Sequence, residues 1–267
     1  MVELLPAELL EALRSSAPMV VAYSGGVDSA FLAVAASDVL GPGAVRAVTA
    51  VSPSLGDDQR DQCERLARQW GLDWSTVETA EMEDERYVAN EGDRCYWCKS
   101  HLMEALAPIV GQATVVLGVN VDDLGDHRPG QRAALEAGAR FPLVEAGLTK
   151  TMIRSLSRTI GLDTWDRPAS PCLSSRLPYG TPVTVGRLTA VEAAERGLRR
   201  LGFLDVRVRH HGDLGLVEVR AEEIDRAVDR RADIVSTVRA SGFRFAALDL
   251  EGFESGRLNR ALADAGE

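Results

Sequence analysis

The segment VVAYSGGVDSAFL, residues 20–32, constrains the fold more than any other part of the chain. An apolar run without polar alternation, typical of a buried parallel strand, leads into SGGVDS, and a helical pattern begins at once. Gly25 and Gly26 expose backbone N–H groups, and the helix directs its positive end to the same point. Ser24 and Ser29 add hydroxyl donors. The segment therefore predicts a loop that binds phosphate or pyrophosphate.

This loop differs from two better-known phosphate loops. No lysine follows it, as GxxxxGK[ST] would require, and it lacks the spacing of GxGxxG. The plain alternative is a strand–turn–helix in which Asp28 or Ser29 caps the helix. The complete hexapeptide between strand and helix favours the phosphate-binding interpretation.

Strand-like and helix-like patterns alternate through the first 165 residues. This order predicts an α/β fold, a Rossmann-like parallel sheet with helices on both faces. The predicted strands are residues 19–23, 46–51, 74–78, 114–119 and 141–144, and the predicted helices are 28–40, 57–70, 99–110, 128–138 and 149–160.

The proline-rich segment TWDRPASPCLSSRLPYGTPVT, residues 164–184, interrupts the alternation. We therefore expect two domains, an α/β domain of residues 1–165 and a smaller α+β domain of residues 166–267. The predicted elements of the second unit are a helix at 186–201, a hairpin of 206–210 with 216–220, a helix at 221–239 and a strand at 244–248.

Composition narrows the function classes. The net charge of −10 argues against tight, sequence-independent binding of nucleic acid. No apolar run approaches the roughly 20 residues that a membrane span needs, and the acidic amphipathic start lacks the basic region of a signal peptide. We expect a cytoplasmic protein. Of 30 basic residues only Lys99 and Lys150 are lysine, so each is of interest where a compact ammonium is required.

The four cysteines predict metal or catalytic chemistry rather than structural disulfides. Cys63 lies on a helical stripe with apolar neighbours and is expected to be buried. Cys95 and Cys98, in GDRCYWCKS, fit a redox pair, half of a zinc site or part of an iron–sulfur site. A zinc site would need further ligands such as His101 or Cys172. Cys172 lies in the junction loop, a location that suits a reactive thiol.

The loop SGGVDS resembles the signature of the PP-loop ATP pyrophosphatases, which split ATP into AMP and pyrophosphate. The resemblance implies that adenine binds over the carboxyl ends of the strands. The backbone near it would be that of Ala22, of Val48 and of the three residues after Val48. It also implies a role for Gly118 in LGVNVDD, and that Asp28 helps to hold Mg²⁺.

Three further motifs follow in order: GDRCYWCKS, GVNVDDLGDHRPG and PCLSSRLPYG. With VRVRHHGDLGLVEV near the C-terminus, the chain resembles the ATP-dependent sacrificial sulfur transferases, the LarE family. That family converts carboxylates of a pyridinium-3,5-biscarboxylate mononucleotide to thiocarboxylates for the nickel-pincer cofactor. The resemblance implies ATP, Mg²⁺ and a small nucleotide substrate. It implies no nucleic-acid or membrane partner, and a homo-oligomer, a hexamer built through the C-terminal unit.

Two sulfur sources follow from this resemblance. In some members the cysteine that matches Cys172 gives up its own sulfur and ends as dehydroalanine. Others use three cysteines to hold a 4Fe–4S cluster whose open iron binds a transferable sulfide. Because Cys95, Cys98 and Cys172 are all present, the chain resembles the second branch.

Further polar residues are assigned provisional roles. Lys99 is expected to contact the phosphates. Arg176, Arg207 and Arg209 are expected to bind the substrate's phosphate and carboxylates, with an exposed sheet face as the alternative for the two strand arginines. Asp122, Asp123 and Asp126 are candidates for contacts with magnesium or ribose, with a solvated turn as the alternative. Glu195 and Glu218 are candidates for a metal or substrate site, with a solvated surface position as the alternative. Trp97 is a candidate for shielding a cluster or stacking on an aromatic ring, with plain packing as the alternative.

Three rival functions remain open on the sequence alone. A PP-loop tRNA thiolase can also hold a cluster, although the acidic balance argues against RNA binding. An ammonia-dependent amidating ligase would not need three cysteines. A nucleotide or cluster sensor would release no pyrophosphate.

Overall fold

The computed structural model describes residues 2–125, 128–168 and 170–254. Its strands are β1 (Met19–Ala22), β2 (Val45–Val51), β3 (Trp74–Glu78), β4 (Thr114–Leu117), β5 (Arg207–His211), β6 (Leu214–Glu218) and β7 (Phe245–Leu248). Its α-helices are α1 (Ala7–Ser15), α2 (Val27–Leu40), α3 (Asp57–Gln69), α4 (Glu85–Val88), α5 (Arg94–Val110), α6 (Pro129–Glu136), α7 (Pro142–Glu145), α8 (Lys150–Thr159), α9 (Val185–Arg200), α10 (Ile224–Asp229) and α11 (Arg231–Ala240).

The chain forms two compact units. The first contains residues 1–84 and 93–170, and the second contains 85–92 and 171–267. The domain boundary proposed from the sequence, between residues 165 and 166, stays a prediction. The short segment 85–92 belongs to the second unit, which no local sequence pattern indicated.

The first unit contains a parallel four-stranded sheet in the order β3-β2-β1-β4, which confirms the α/β prediction. Successive strand residues point to opposite faces. Val21, Ala47 and Val116 join an apolar cluster with α2 and α3 on one face. Val20 and Val48 join a second cluster with α5 and α6 on the other face. The two clusters explain why the strand sequences are apolar without alternation.

Strand register determines where loops can meet. Ala22 at the end of β1 is aligned with Val48 of β2 and with Leu117 of β4. The segments that follow β1 and β4 therefore leave the sheet at the same, carboxyl, edge. In open α/β sheets this edge provides the ligand-binding crevice.

Three element predictions in the chain were wrong. Residues 141–144 were predicted as a strand, but Phe141 is the N-cap of helix α7 and the next three residues lie in it. Pro142 suits the first position of a helix. The backbone bridge to β4 is made by Arg140, just before this segment. The predicted helix at 221–239 is two helices that meet at Arg230. The helix predicted from Lys99 begins at Arg94, so Cys95 and Cys98 lie inside its first two turns.

The second unit has a three-stranded sheet in the order β5-β6-β7. The predicted hairpin is confirmed: β5 and β6 are antiparallel, with Val208 opposite Val217, and both side chains are fully buried. β7 runs parallel to β6. The mixture of helices with a small mixed sheet matches the predicted α+β unit. Among the residues that the structure describes, no helix is long and apolar enough to cross a bilayer.

Asn90 joins the segment 85–92 to the rest of the second unit. It is fully buried and has a φ of 58°, in the left-handed region that asparagine tolerates better than most residues. Its Nδ2 donates to the carbonyls of Pro178 and Thr181, both at 2.8 Å, and its own carbonyl accepts from the N–H of Gly180 at 2.9 Å. One side chain thus holds the loop that follows Cys172.

We expect Asn90→Ala to destabilise the second unit by about 2–4 kcal/mol. The change removes the donor to the partly buried carbonyls of Pro178 and Thr181, at about 1–3 kcal/mol, and puts alanine in a left-handed conformation that asparagine tolerates better, at about 1 kcal/mol. Thermal unfolding followed by circular dichroism measures the loss. Asn90→Gly is the matched control: it loses the same side-chain hydrogen bonds, but glycine adopts a positive φ without strain, so it should recover the backbone part of the loss. An alanine variant that melts like the parent would contradict this account.

Candidate active site

The SGGVDS loop lies between β1 and α2, as predicted. Gly26 is the N-cap of α2 and no side chain caps it, so the first helical N–H groups have no partner from a cap. Ser29 Oγ lies 3.0 Å from Ser24 Oγ and 3.2 Å from the N–H of Ser24 that it accepts. Ser29 is buried and holds the loop closed, whereas Ser24 is exposed. Of the two predicted hydroxyl donors, Ser24 is therefore the one open to a ligand.

Two glycines are required by close packing around the loop. Gly25 has a φ of 68°, and a Cβ there would lie 2.9 Å from Cys63 Sγ. A Cβ on Gly118 would lie 2.7 Å from the N of Ser29 and 2.9 Å from the carbonyl carbon of Asp28. The backbone after β4 thus packs directly against the first turn of α2. This contact gives Gly118 a structural role, and the implied role in nucleotide binding stays a prediction.

The two residues assigned to adenine are paired in the sheet: Ala22 ends β1 and is aligned with Val48, in the middle of β2. Ala22 is half-buried, while Val48 is fully buried and its carbonyl accepts from the N–H of Tyr23 at 2.8 Å. Val48 is therefore committed to the sheet, and contact between adenine and either residue stays a prediction.

Cys63 is fully buried in α3, which confirms the sequence-based expectation. Burial raises the pKa of its thiol to about 11. At neutral pH the thiol is therefore protonated and a poor nucleophile. Its Sγ packs against Gly25.

Asp28, predicted to hold Mg²⁺, forms an ion pair with Lys150 through Oδ2. The side chains are 18% and 35% exposed respectively, and pairs this accessible contribute about 0–1 kcal/mol. The other carboxylate oxygen, Oδ1, is buried and has no hydrogen-bond partner among the residues described. A carboxylate with one buried, unsatisfied oxygen at a helix N-terminus fits a metal ligand.

Lys150 is the functional candidate that sequence reasoning missed. The scarcity of lysine drew attention to it, but only Lys99 was assigned a role. Lys99 lies half-buried on α5 and makes no ion pair within the described part of the chain. Its predicted contact with phosphates stays a prediction.

The acidic loop after β4 is largely engaged in local structure. Asp122 Oδ2 accepts the backbone N–H of Lys150 at 2.7 Å. Asp123 accepts the N–H of Asn120 and pairs with Arg128 at 2.8 Å. These contacts favour the structural alternative for both aspartates. Asp126 lies outside the described residues.

Cys95 and Cys98 lie one helical turn apart in α5, where Cys95 is exposed and Cys98 is half-buried. A Cβ on Gly130 would lie 2.8 Å from the carbonyl oxygen of Cys95, so α6 packs tightly against this turn. Trp97 Nε1 donates to Asp93 at 2.9 Å, which anchors the indole beside the helix start. A shielding or stacking role for Trp97 stays a prediction.

His101 is engaged elsewhere. One ring nitrogen lies 3.0 Å from Asp84 and the other 3.3 Å from Glu104. Within the described residues of each unit, no group of three or more His, Cys, Asp or Glu side chains is placed to hold a metal ion. The first unit supplies two of the three predicted cluster ligands and the second unit supplies Cys172.

Cys172 is half-buried and directly precedes a short 3₁₀ helix, Leu173–Arg176. Two arginines hold the backbone around it. Arg176 donates to the carbonyls of Pro171 and Cys172 at 2.6 and 3.0 Å. Arg209 donates to the carbonyl of Ser175 at 2.8 Å. The loop that presents the thiol is therefore fixed by charged donors from its own unit.

The two arginines are held in turn by buried carboxylates. Arg176 forms a bidentate pair with Glu195 at 2.9 and 3.1 Å, and Arg209 forms one with Glu218 at 3.0 and 2.9 Å. Burial opposes ionisation of Glu195, but Arg176 outweighs it, so the pKa of this carboxyl is lowered. Glu195 also accepts from Arg199. Both glutamates thus act as ion-pair partners, which the sequence did not indicate.

Arg207 is also buried, with 7% of its surface exposed. The alternative of an exposed sheet face for Arg207 and Arg209 was therefore wrong: the strand lies under other parts of the unit, and all four residues from Arg207 to His210 are buried. Burial, and next the charge of Arg176, lower the pKa of Arg207 to about 10. Direct contact of these arginines or of Arg176 with substrate stays a prediction.

Arg154 of α8 is a second residue that the sequence did not reveal. It donates to the carbonyls of Trp165 and Arg167 at 2.8 and 2.7 Å. The helix that begins with Lys150 thereby also holds the start of the proline-rich segment.

Comparison with known proteins supplies the family. An uncharacterised protein of Synechocystis sp. is 47% identical over 247 residues, 91% of this chain and 92% of that protein. The pyridinium-3,5-bisthiocarboxylic acid mononucleotide synthase of Lactiplantibacillus plantarum is 38% identical over 262 residues, 97% of this chain and 95% of the synthase. An uncharacterised protein of Methanocaldococcus jannaschii is 23% identical over 240 residues, 89% of this chain and 91% of that protein. No protein-family model matches.

Removing the buried partner of Glu195 should destabilise the second unit strongly. We expect Arg176→Met to cost about 3–5 kcal/mol, because the buried carboxylate of Glu195 loses its bidentate partner and keeps only the single bond from Arg199 as an ion pair. The Arg176→Met/Glu195→Met double variant should cost less than Arg176→Met alone. Arg230→Met, which breaks the exposed pair with Asp233, is the control and should cost under about 1 kcal/mol.

The pH dependence of unfolding provides a second test of the Arg176–Glu195 pair. The pKa of Glu195 is lower in the folded chain than its ordinary 4.5. Its stabilisation is therefore present above about pH 4.5 and is lost as the pH falls through the folded pKa. Thermal midpoints measured from pH 7 to pH 3 should fall less steeply in the double variant. Equal slopes would contradict the assignment.

Proposed function

Because this chain belongs to the pyridinium-3,5-bisthiocarboxylic acid mononucleotide synthase family, we propose that it is an ATP-dependent sulfurtransferase of nickel-pincer cofactor biosynthesis. It converts the carboxylates of pyridinium-3,5-biscarboxylic acid mononucleotide to thiocarboxylates. The observation that carries the proposal is identity at 38% over 97% of the chain to a synthase of the corresponding thiocarboxylate. The loop and the thiol described above supply the two halves of the chemistry.

The first half is activation of a carboxylate. A carboxylate oxygen attacks the α-phosphorus of ATP, the bond to the β,γ-pyrophosphate breaks, and an acyl-adenylate forms. The uncapped N–H groups at the start of α2 and the hydroxyl of Ser24 would bind the pyrophosphate oxygens. Asp28 would hold Mg²⁺ through the oxygen that lacks a partner. The ion, when bound, offsets negative charge on the leaving pyrophosphate.

The second half is sulfur transfer. Cys172 Sγ attacks the activated carbonyl, AMP leaves, and a thioester forms. Loss of the Cα proton of Cys172 and cleavage of its Cβ–Sγ bond then give the thiocarboxylate and leave dehydroalanine. Arg176 and Arg209 keep the backbone of this residue fixed while the bonds change.

The arginines also favour an anionic substrate. Arg176, Arg199, Arg207 and Arg209 share one region with the two carboxylates of Glu195 and Glu218, so these six groups carry a net charge of +2. A phosphorylated biscarboxylate would be attracted to that charge. The predicted substrate contacts are thus best tested as charge effects on substrate affinity.

A 4Fe–4S cluster held by Cys95, Cys98 and Cys172 is the alternative sulfur source that we propose. When bound, such a cluster could supply a transferable sulfide and leave the sulfur of Cys172 in place. Its support is the donor chemistry: three thiols, of which two are adjacent on one helix. Among the residues that the structure describes, neither unit by itself gathers three metal ligands, so experiment must distinguish the cluster from the sacrificial cysteine as the sulfur source.

The resemblance also leads us to propose a homohexamer that acts in the cytoplasm on a small-molecule nucleotide, without nucleic acid or membrane partners. Sedimentation velocity at several concentrations tests the assembly, and a monomer throughout would refute it.

Cys172→Ala should abolish thiocarboxylate formation, because no sulfur nucleophile remains at that position. Substrate-dependent pyrophosphate release should continue within about threefold of the parent, since adenylylation does not use the thiol. Mass spectrometry of the nucleotide product and a coupled pyrophosphate assay measure the two halves separately. Cys172→Ser is the closest control in shape and should behave in the same way. Sulfur transfer that survives either change would refute the role of Cys172.

Anaerobic reconstitution with iron and sulfide separates the two sulfur sources. If the cluster operates, the chain binds about four irons, the Cys95→Ala variant loses them, and Cys172 keeps its mass through repeated turnover. If the donor is sacrificial, Cys172 loses one H₂S after a single turnover and no iron is required. Binding of zinc in place of iron would assign Cys95 and Cys98 to a different metal site.

A further inference from the structure

We propose that Lys150 is a nucleotide-binding residue that exchanges partners during the reaction: it pairs with Asp28 before ATP binds and with a pyrophosphate oxygen afterwards. The inference rests on the proposed ATP-dependent function, which it deepens by assigning a second cation to the same site.

The base of Lys150 is fixed while its tip remains accessible. Its backbone N–H donates to Asp122 Oδ2 at 2.7 Å, and the carbonyl of Leu148 accepts from the N–H of Val121 at 3.0 Å. Both contacts tie the start of α8 to the loop after β4. The side chain beyond this anchor is 35% exposed and ends on Asp28. A fixed base with an accessible ammonium allows the tip to change partners without movement of the helix.

The carboxylate of Asp28 is only half satisfied by this pair. Lys150 contacts Oδ2, whereas Oδ1 is buried without a hydrogen-bond partner among the described residues. A divalent ion would satisfy the carboxylate better than one ammonium, because Mg²⁺ prefers carboxylate and phosphate oxygens together. The ion would bring the phosphate oxygens to the group that Lys150 already touches. The displaced ammonium would then meet the most negative ligand in the site.

The chemistry favours lysine at this position. An ammonium is a compact point charge with rotatable donors, so it can turn from a carboxylate to a phosphate oxygen. A guanidinium is planar and tends to form a fixed bidentate pair with a carboxylate. In a chain with 30 basic residues, lysine occurs only at positions 99 and 150. Charge stabilisation of the departing pyrophosphate is the contribution we assign to Lys150.

Binding measurements on Lys150→Met test the exchange without requiring turnover. We expect affinity for the magnesium complex of α,β-methylene ATP to fall at least about tenfold, because a cation on the pyrophosphate is lost. Affinity for Mn²⁺ alone should rise about three- to tenfold, because no ammonium competes for Asp28. Equilibrium dialysis measures the first and electron paramagnetic resonance of free Mn²⁺ measures the second. These opposite signs are not expected from a residue that only supports the fold.

Arg158→Met is the matched control, because it removes one positive charge from the same helix two turns away. It should leave both affinities within about twofold. Lys150→Arg should keep Mn²⁺ binding weak and recover only part of the nucleotide affinity.

Three outcomes would overturn the inference. Unchanged nucleotide affinity in Lys150→Met would exclude a phosphate contact. Loss of both affinities together with a lower thermal midpoint would assign Lys150 a structural role. Absence of nucleotide binding by the parent chain would overturn the proposed function as well, whereas failure to form thiocarboxylate with normal nucleotide binding would overturn that function alone.

Discussion

The close approach of Gly118 to the first turn of α2 is the contact on which the arrangement around the SGGVDS loop depends. A side chain at residue 118 would overlap the backbone of Asp28 and Ser29, at 2.9 and 2.7 Å from a Cβ. Because the backbones touch, the loop after β4 lies beside the start of α2. That loop then holds the start of α8 through Asp122, and α8 carries Lys150 to Asp28. Because Gly118 has no side chain, this packing is possible, and it brings Asp28 and Lys150 together.

In the second unit, side-chain hydrogen bonds rather than close backbone packing hold the loop that carries Cys172. Its reactive loop carries Cys172, and the carbonyls around this residue are held by Arg176 and Arg209 rather than by a regular element. The arginines need buried carboxylates, because an unpaired buried charge is costly. Glu195 and Glu218 meet that need. The backbone around Cys172, which lies outside any strand or α-helix, is thereby held by charged side chains.

The sequence predicted contacts that depend on local pattern and missed those that depend on distant partners. The apolar strands, the hairpin of β5 and β6 and the position of the SGGVDS loop between β1 and α2 each carry their signal within a few residues, and each was predicted. The pairing of Lys150 with Asp28 joins residues that lie far apart in the chain, and no local pattern records it. Similarly, a strand that reads Arg-Val-Arg indicates alternation but cannot show that other elements cover both faces. Residues 141–144 carried a real ambiguity, since a short apolar run after a turn at Gly138 fits a strand or one turn of helix.

The Arg176–Glu195 and Asp28–Lys150 pairs differ in burial and in the number of bonds that join them. Arg176 and Glu195 are almost fully buried, with exposures of 3% and 1%, and make two parallel bonds. Such a pair has no access to a competing ligand and suits the fixed presentation of a thiol. Asp28 and Lys150 are partly exposed, make a single contact and leave one carboxylate oxygen unsatisfied. An arrangement of that kind is weak enough to be displaced by a metal ion and its phosphate ligands. The more buried pair thus lies beside Cys172, and the more accessible pair lies at the start of α2, where we propose that the nucleotide binds.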